Sequence, residues 1–166
     1  MNRFYLIIGI LFIFFISSCG VKVINITNGL TLNKEKKFAV IPFENFTDTP
    51  LAGCSVASIV EGILYSRGYK LQTKVWSIPK TEPSKKDIEK IKEKAIEMGA
   101  EFIVMGSVNE FRYKTGIDGE PAVSLTLLLY DAKAQKVVTG STASATGWAN
   151  ESLGTIAQKL INKVIK

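Results

Sequence analysis

The chain has 166 residues, a formal net charge of +6, two cysteines and no histidine. Its length suits one folded domain, and the lack of histidine removes the commonest general base, the serine and cysteine triads that depend on it, and most zinc sites. The positive charge comes mostly from lysines interleaved with glutamates, as in "SKKDIEKIKEK", which is typical of solvated helix faces and not of a nucleic-acid-binding patch.

The first eighteen residues have the composition of an export signal. Arg3 supplies a positive start, Phe4 to Ile16 an apolar stretch, and Ser17 and Ser18 the small residues that a signal peptidase accepts. The apolar stretch is about thirteen residues long, whereas a membrane-spanning helix takes roughly twenty. We therefore expect residues 1–18 to be a signal peptide and not a transmembrane helix.

Cys19 follows these small residues directly. The stretch "ISSC" resembles a bacterial lipobox, in which the thiol receives diacylglycerol, cleavage leaves the cysteine as the new amino terminus, and its amine is acylated too. The resemblance implies cleavage between Ser18 and Cys19 and a stable lipid anchor, because several acyl chains bury more CH₂ groups than one. Gly20 stands where an inner-membrane retention signal would be aspartate, which implies the outer membrane of a two-membrane bacterium. An ordinary cleaved signal with an incidental cysteine is the alternative.

Residues 19–37 are polar with scattered β-branched side chains, which indicates a tether with a weak strand around Val21 to Ile26. Fully extended, the eighteen residues after Cys19 would reach at most ~60 Å. Cys54 has no intramolecular partner once Cys19 is lipidated, so we expect it to be a small buried packing residue and not part of a disulfide.

The folded domain is predicted to span residues 38–166, beginning with the buried strand "FAVIPF" at Phe38. Thr49 and Pro50 are predicted to be the N-cap and first residue of a helix. That helix carries apolar side chains at spacings of three and four and ends at Gly68. A second strand is predicted by alternation from Tyr69 to Trp76, with Trp76 in the core.

Ser84 and Asp87 resemble a capping box at the start of a second, half-exposed helix that ends at Gly99. A third buried strand, "EFIVMGSV", then leads to an antiparallel hairpin formed by "AVSLTLLLYD" and "VVTGSTASAT". The last helix, Glu151 to Lys166, is predicted to be capped by Asn150. The order β-α-β-α-β-β-β-α predicts a single α/β sandwich domain with a mixed sheet.

The sequence gives little support for a catalytic site. No glycine-rich phosphate-binding loop occurs. Carboxylate pairs such as Glu44 with Asp48, or Asp118 with Glu120, lie in predicted loops, where turn formation and capping explain them. We expect no enzymatic activity, no catalytic or metal-binding residues, and no cofactor other than the covalent diacylglycerol and N-acyl lipid on Cys19.

The mature domain resembles a group of bacterial envelope lipoproteins. The motifs "FAVIPFENFTDTP", "GAEFIVMGSVNEFRY" and "VSLTLLLYDAKAQKVV", in that order, are similar to the family that includes CsgG, PelC, LpoB and the TolB amino-terminal domain. The resemblance covers roughly Phe38 to Lys166 and implies the TolB amino-terminal-like or CsgG-like α/β core. Gln135 departs from the pattern, because relatives often carry glycine in this hairpin turn.

Length distinguishes the members of this group. No segment outside the core strands has the alternation of membrane-spanning hairpins, which disfavours a pore of the CsgG kind. The short tether also disfavours an LpoB-like activator, which needs a long arm. The compact PelC architecture fits best, and it implies a membrane-facing tryptophan near Trp148, for which a core position is equally open. Arg112 either pairs with an acid of a neighbouring subunit or is a solvated surface residue.

The resulting hypothesis is an outer-membrane-anchored lipoprotein that faces the periplasm. It would be a non-enzymatic, oligomeric accessory or scaffold of an envelope export or assembly system for polysaccharide or protein. Its partners would be membrane lipid through Cys19, further copies of itself, and envelope export proteins, but not nucleic acid. The alternative is a monomeric regulator of a peptidoglycan or envelope-assembly enzyme.

Overall fold

The computed structural model describes residues 24–72, 75–115 and 119–166. Cys19 and the rest of the predicted signal and early tether lie outside these described residues. The elements in chain order are β1 (Ile24–Ile26), β2 (Lys37–Val40), β3 (Glu44–Asn45), α1 (Ala52–Ser66), β4 (Lys70–Leu71), α2 (Lys85–Glu97), β5 (Phe102–Tyr113), β6 (Pro121–Asp131), β7 (Lys136–Thr146) and α3 (Leu153–Val164).

The strands form one seven-stranded mixed sheet with the order β1-β7-β6-β5-β2-β4, and β3 pairs with β5 beyond the end of β2. β2 runs parallel to β4 and β5, because α1 and α2 supply the crossovers that parallel neighbours require. The antiparallel pairs are β5 with β6, β6 with β7, and β7 with β1. The predicted α/β fold with a mixed sheet is confirmed.

Helices cover the two faces of the sheet unequally. α1 and α3 pack on one face and share a large core with the strands, which includes Val60, Leu64, Val104, Leu125 and Leu160. α2 packs on the opposite face over a smaller core of Ala39, Ile41, Ile88, Ala95 and Ile103. Only Ile88 and Ala95 of α2 are buried, so this helix is half exposed, as predicted.

The predicted start of α1 is wrong by two residues. α1 begins at Ala52 with Leu51 as its N-cap, at φ 57°, and no side chain caps it. The Thr49 hydroxyl donates instead to the Phe111 carbonyl oxygen at 2.5 Å. A tertiary hydrogen bond to β5 has therefore replaced the local cap that the sequence favours.

The predicted end of α1 and the caps of α2 are confirmed. Gly68 follows α1 at φ +76°, and Gly99 follows α2 at φ +92°, a region that glycine enters without a Cβ clash. The Asp87 amide donates to the Ser84 hydroxyl at 3.2 Å, and the Ser84 amide donates back to the Asp87 carboxylate at 3.1 Å. This reciprocal pair is the predicted capping box.

Two further predictions need correction. α3 is capped by Ser152, whose hydroxyl accepts from the Thr155 amide at 3.1 Å, and not by Asn150. The second strand, predicted from Tyr69 to Trp76, covers only Lys70–Leu71 in the described part of the chain. Trp76 is half-buried at the boundary of the two cores, and its indole N–H donates to the Val40 carbonyl at 3.0 Å.

The second half of the predicted tether packs against the domain. Ile24–Ile26 forms an edge strand with β7, within the stretch where a weak strand was predicted. Leu30 and Leu32 are buried, and Leu30 also forms a bridge with Ile165 at the end of α3. The folded domain therefore includes residues from Ile24 onward, and the free part of the tether is much shorter than the sequence suggests.

Candidate functional site

One end of the sheet gathers the chain entry and Trp148, for which the sequence left a core position and a membrane-facing position open. Ile24, the first residue of β1, lies opposite Ala145 near the end of β7. Cys19 precedes Ile24 by five residues, so the two Cα atoms are at most about 18 Å apart whatever path the chain takes. We call the end formed by Ile24, Tyr113, Pro121 and Thr146–Trp148 the anchor end.

Trp148 follows β7 at this anchor end and is 42% exposed. Its backbone is held tightly, because its amide donates to the Glu151 carboxylate and its carbonyl accepts from the Glu151 amide, both at 2.9 Å. The Gly147 amide donates to the Pro121 carbonyl at 2.8 Å. A Cβ at Gly147 would collide with the Ile156 side chain, so this turn requires glycine. The indole is thus a surface group on a rigid turn and does not fill the core.

Tyr113 is a second exposed aromatic residue at the anchor end, and the sequence analysis did not single it out. It ends β5, pairs in register with Pro121, and is 49% exposed. Next to it, the Lys114 ammonium lies 3.5 Å from the Glu120 carboxylate. The alternation of "NEFRY" beyond the predicted end of the third strand was the signal that could have revealed this position.

Arg112 lies on β5, two residues beyond Glu110. Its guanidinium donates to the Glu110 carboxylate at 2.9 Å, and its side chain is 60% exposed. The charge of Arg112 therefore already has a partner within its own chain. A contact with an acid of a second copy would have to compete with this exposed pair, which contributes little to stability by itself.

Cys54 lies on the buried face of α1 and is 4% exposed. Burial raises the pKa of its thiol, and the nearby Glu82 carboxylate adds to the effect. A thiol with a raised pKa forms little reactive thiolate. The predicted role as a small buried packing residue is confirmed.

The carboxylates with lowered pKa values all serve ion pairs or caps. The pKa of Glu101 is lowered mainly by the hydrogen bond from the Lys36 ammonium and also by the one from the Lys37 amide. The hydrogen bond from the Lys70 ammonium lowers the pKa of Glu35. The Glu82 carboxylate accepts from the Leu51 amide at 2.6 Å. In the described ranges no group of three or more His, Cys, Asp or Glu side chains could hold a metal ion.

No helix within the described ranges is both long and apolar enough to cross a bilayer. The anchor end offers two exposed aromatic side chains at the point where the chain arrives from Cys19.

Comparison with known proteins shows that the chain is similar to a solved structure at 33% identity. No protein-family model and no curated protein sequence matches the chain. PelC from Paraburkholderia phytofirmans, solved as a dodecamer in two crystal forms, is 33% identical and superposes with a TM-score of 0.67. The matched region covers 87% of this chain and 95% of the PelC chain in one form, and 94% in the other.

A more distant structure shares the fold alone. Lipoprotein GNA1162 from Neisseria meningitidis is 17% identical, with a TM-score of 0.51 over 78% of this chain and 97% of its own. Sequence identity at that level supports no shared role, whereas the identity to PelC extends over nearly the whole length of that protein. The identity of 33% over 87% of this chain places it in the PelC family.

Proposed function

We propose that this protein is a lipid-anchored, outer-membrane lipoprotein that faces the periplasm and assembles with copies of itself as a non-enzymatic scaffold of an envelope export system. The observation that carries the proposal is 33% identity over 95% of the chain of a PelC protein that forms a dodecamer. A ring of twelve or so copies would surround a path through which a polymer could pass.

The position of the chain entry supports a role close to the membrane. Because Ile24 is already part of the sheet, a lipid on Cys19 would hold the anchor end within about 18 Å of the membrane surface. The predicted reach of ~60 Å no longer applies, since Leu30 and Leu32 pack into the domain. A domain held this close could not extend toward a partner in the inner membrane, which argues against the regulatory alternative.

The exposed aromatic residues of the anchor end support a defined orientation. Trp148 and Tyr113 carry amphipathic rings, which favour the interface between membrane and water. Together with the lipid on Cys19 they would fix which side of each domain faces the bilayer. The mechanism is geometric: lipids set the membrane side, and neighbouring domains form the collar.

The test is the mass of the detergent-solubilised native complex, measured by light scattering for wild type and for Cys19→Ala. We expect a large closed oligomer for the wild type, and loss of membrane attachment in Cys19→Ala. A wild type that is strictly monomeric in its native lipidated form would contradict the scaffold and favour the regulator. Membrane attachment that survives Cys19→Ala would contradict the lipid anchor.

A further inference from the structure

A groove runs between α1 and α3 on the face of the molecule that points away from the sheet. Its cavity volume is about 530 Å³. α1 contributes Ile59, Gly62 and Ser66 to its walls, and α3 contributes Gly154 and Gln158. The groove is lined by both apolar and polar side chains. Asn162 of α3 also lines it and accepts from the Arg67 guanidinium at 2.9 Å.

Gly62 lies in the interior of α1, where alanine is the better helix former because glycine loses more backbone entropy on folding. A Cβ at Gly62 would meet nothing within 4 Å. Gly53, in the same helix, differs: a Cβ there would collide with the Phe43 carbonyl oxygen, so the monomer itself requires glycine at Gly53. Nothing in the described monomer requires it at Gly62.

Gly154 is the second glycine of the groove and lies in the first turn of α3. The nearest atom to a Cβ at this position would be the Ser152 hydroxyl oxygen at 3.8 Å, an ordinary van der Waals distance. The monomer therefore tolerates a side chain at both glycines. Their shared effect is to keep the groove deep, which matters to a molecule that enters it.

An exposed apolar side chain lies on the other face of the sheet. Ile78, at 77%, is the most exposed of the large hydrophobic residues in the described part of the chain. Its neighbours Ser77 and Pro79 line a small cavity with Asp87 and Ile91 of α2. Since α2 covers the opposite face from α1 and α3, Ile78 and the groove lie on opposite sides of each domain.

We propose that the groove between α1 and α3 seats the Ile78 side of the next copy of this chain. This inference rests on the proposed ring. A closed ring of identical subunits uses two unlike patches on each copy, one for each neighbour. The groove and the exposed Ile78 side chain supply two unlike patches on opposite faces, as such a head-to-tail contact requires.

The first test fills the groove. Gly62→Phe points into open space, so we expect the domain to fold, to keep its circular dichroism spectrum, and to run as a monomer or small oligomer where the wild type is a large complex. Gly62→Ala tests whether the monomer tolerates a side chain at this position. Because alanine is the better helix former, the Tm of this variant should rise by roughly 2–4 °C. Thr139→Phe, at an exposed position of β7 outside both patches, is the control and should leave the mass of the complex unchanged.

The second test joins the two patches covalently. The double variant Gly62→Cys with Ile78→Cys, in a Cys54→Ala background that keeps Cys19, should give a ladder of disulfide-linked multimers on oxidation of the native complex. Each single cysteine variant should give no ladder. A Gly62→Phe protein that keeps the wild-type mass, or a double variant without a ladder, would overturn the groove contact while the proposed ring stands. A monomeric wild type would overturn the ring itself.

Discussion

Ile24 and Ala145 lie opposite each other in the antiparallel pair of β1 and β7. Because β7 ends one residue later at Thr146, the chain from Cys19 enters the domain beside the turn that carries Trp148. The start of β1 and the exposed indole therefore share one end of the molecule. Cys19 and Trp148 are more than a hundred residues apart in sequence, and this arrangement would let both act at one membrane surface.

This relationship predicts that Trp148→Ser weakens binding of the lipid-free domain to vesicles of phosphatidylethanolamine and phosphatidylglycerol. Moving the exposed part of an indole out of water is worth about 2 kcal/mol, so we expect the partition coefficient to fall at least about tenfold. Tyr65→Ser is the control. Tyr65 is 48% exposed in the last turn of α1, whereas the start of α1 lies near the anchor end, where Thr49 bonds to Phe111. Vesicle co-sedimentation measures both. An equal loss in the two variants would contradict a membrane-facing anchor end.

Gln135 occupies a left-handed backbone conformation, at φ 51°, in the turn between β6 and β7. This is the position at which the sequence lacks the glycine that its relatives often carry. Gln135→Gly should raise the free energy of unfolding by about 0.5–1 kcal/mol, because removing the Cβ relieves the clash with the backbone. Gln135→Ala keeps the Cβ and should have little effect. Urea denaturation that ranks the two variants equally would contradict this explanation.

Ser84→Ala should destabilise α2 locally, because the helix loses its capping box while few of its side chains are buried. We expect a cost of about 1 kcal/mol, visible as faster hydrogen exchange of α2 amides, whereas Ser84→Thr should retain most of the cap. The pKa of Asp87 is lowered mainly by the hydrogen bond from the Ser84 hydroxyl and also by the one from the Ser84 amide. The stability that they supply is complete above pH 3.8, the ordinary value, and declines as the pH falls below it. Ser84→Ala should reduce this pH dependence, because it removes the hydroxyl donor while the amide at position 84 can still donate to Asp87.

Glu61 is a half-buried carboxylate of α1, and burial raises its pKa above the ordinary value of 4.5. The folded state therefore holds this proton more strongly than the unfolded state, so stability falls as the pH rises from 4.5 through the raised pKa. Glu61→Gln should be more stable than the wild type at pH 7 and differ least from it below pH 4.5. Glu93→Gln, at an exposed position of α2, controls for the loss of one charge. A difference that does not change with pH would contradict this origin.

Much of the fold could be predicted from local patterns. Helical spacing identified α1, α2 and α3, and the glycines after α1 and α2 lie at the positive φ values expected of helix ends. The Ser84–Asp87 cap was predictable because both partners lie within one turn. The exposed turn of Trp148 followed from no local pattern, and the sequence left Trp148 open between a core and a surface position.

Sequence alone determined the α/β class, the mixed sheet and the family resemblance, because these depend on periodicities and short motifs that each segment carries by itself. The tertiary structure decided what depends on partners far apart in the chain. Thr49 bonds to Phe111 and so does not cap α1, and Leu30 packs at Ile165, which shortens the tether. The groove at Gly62 likewise exists only because α1 and α3, some ninety residues apart, pack side by side. Local energies of about 1 kcal/mol, such as a helix cap, are readily outweighed by burial of one large side chain.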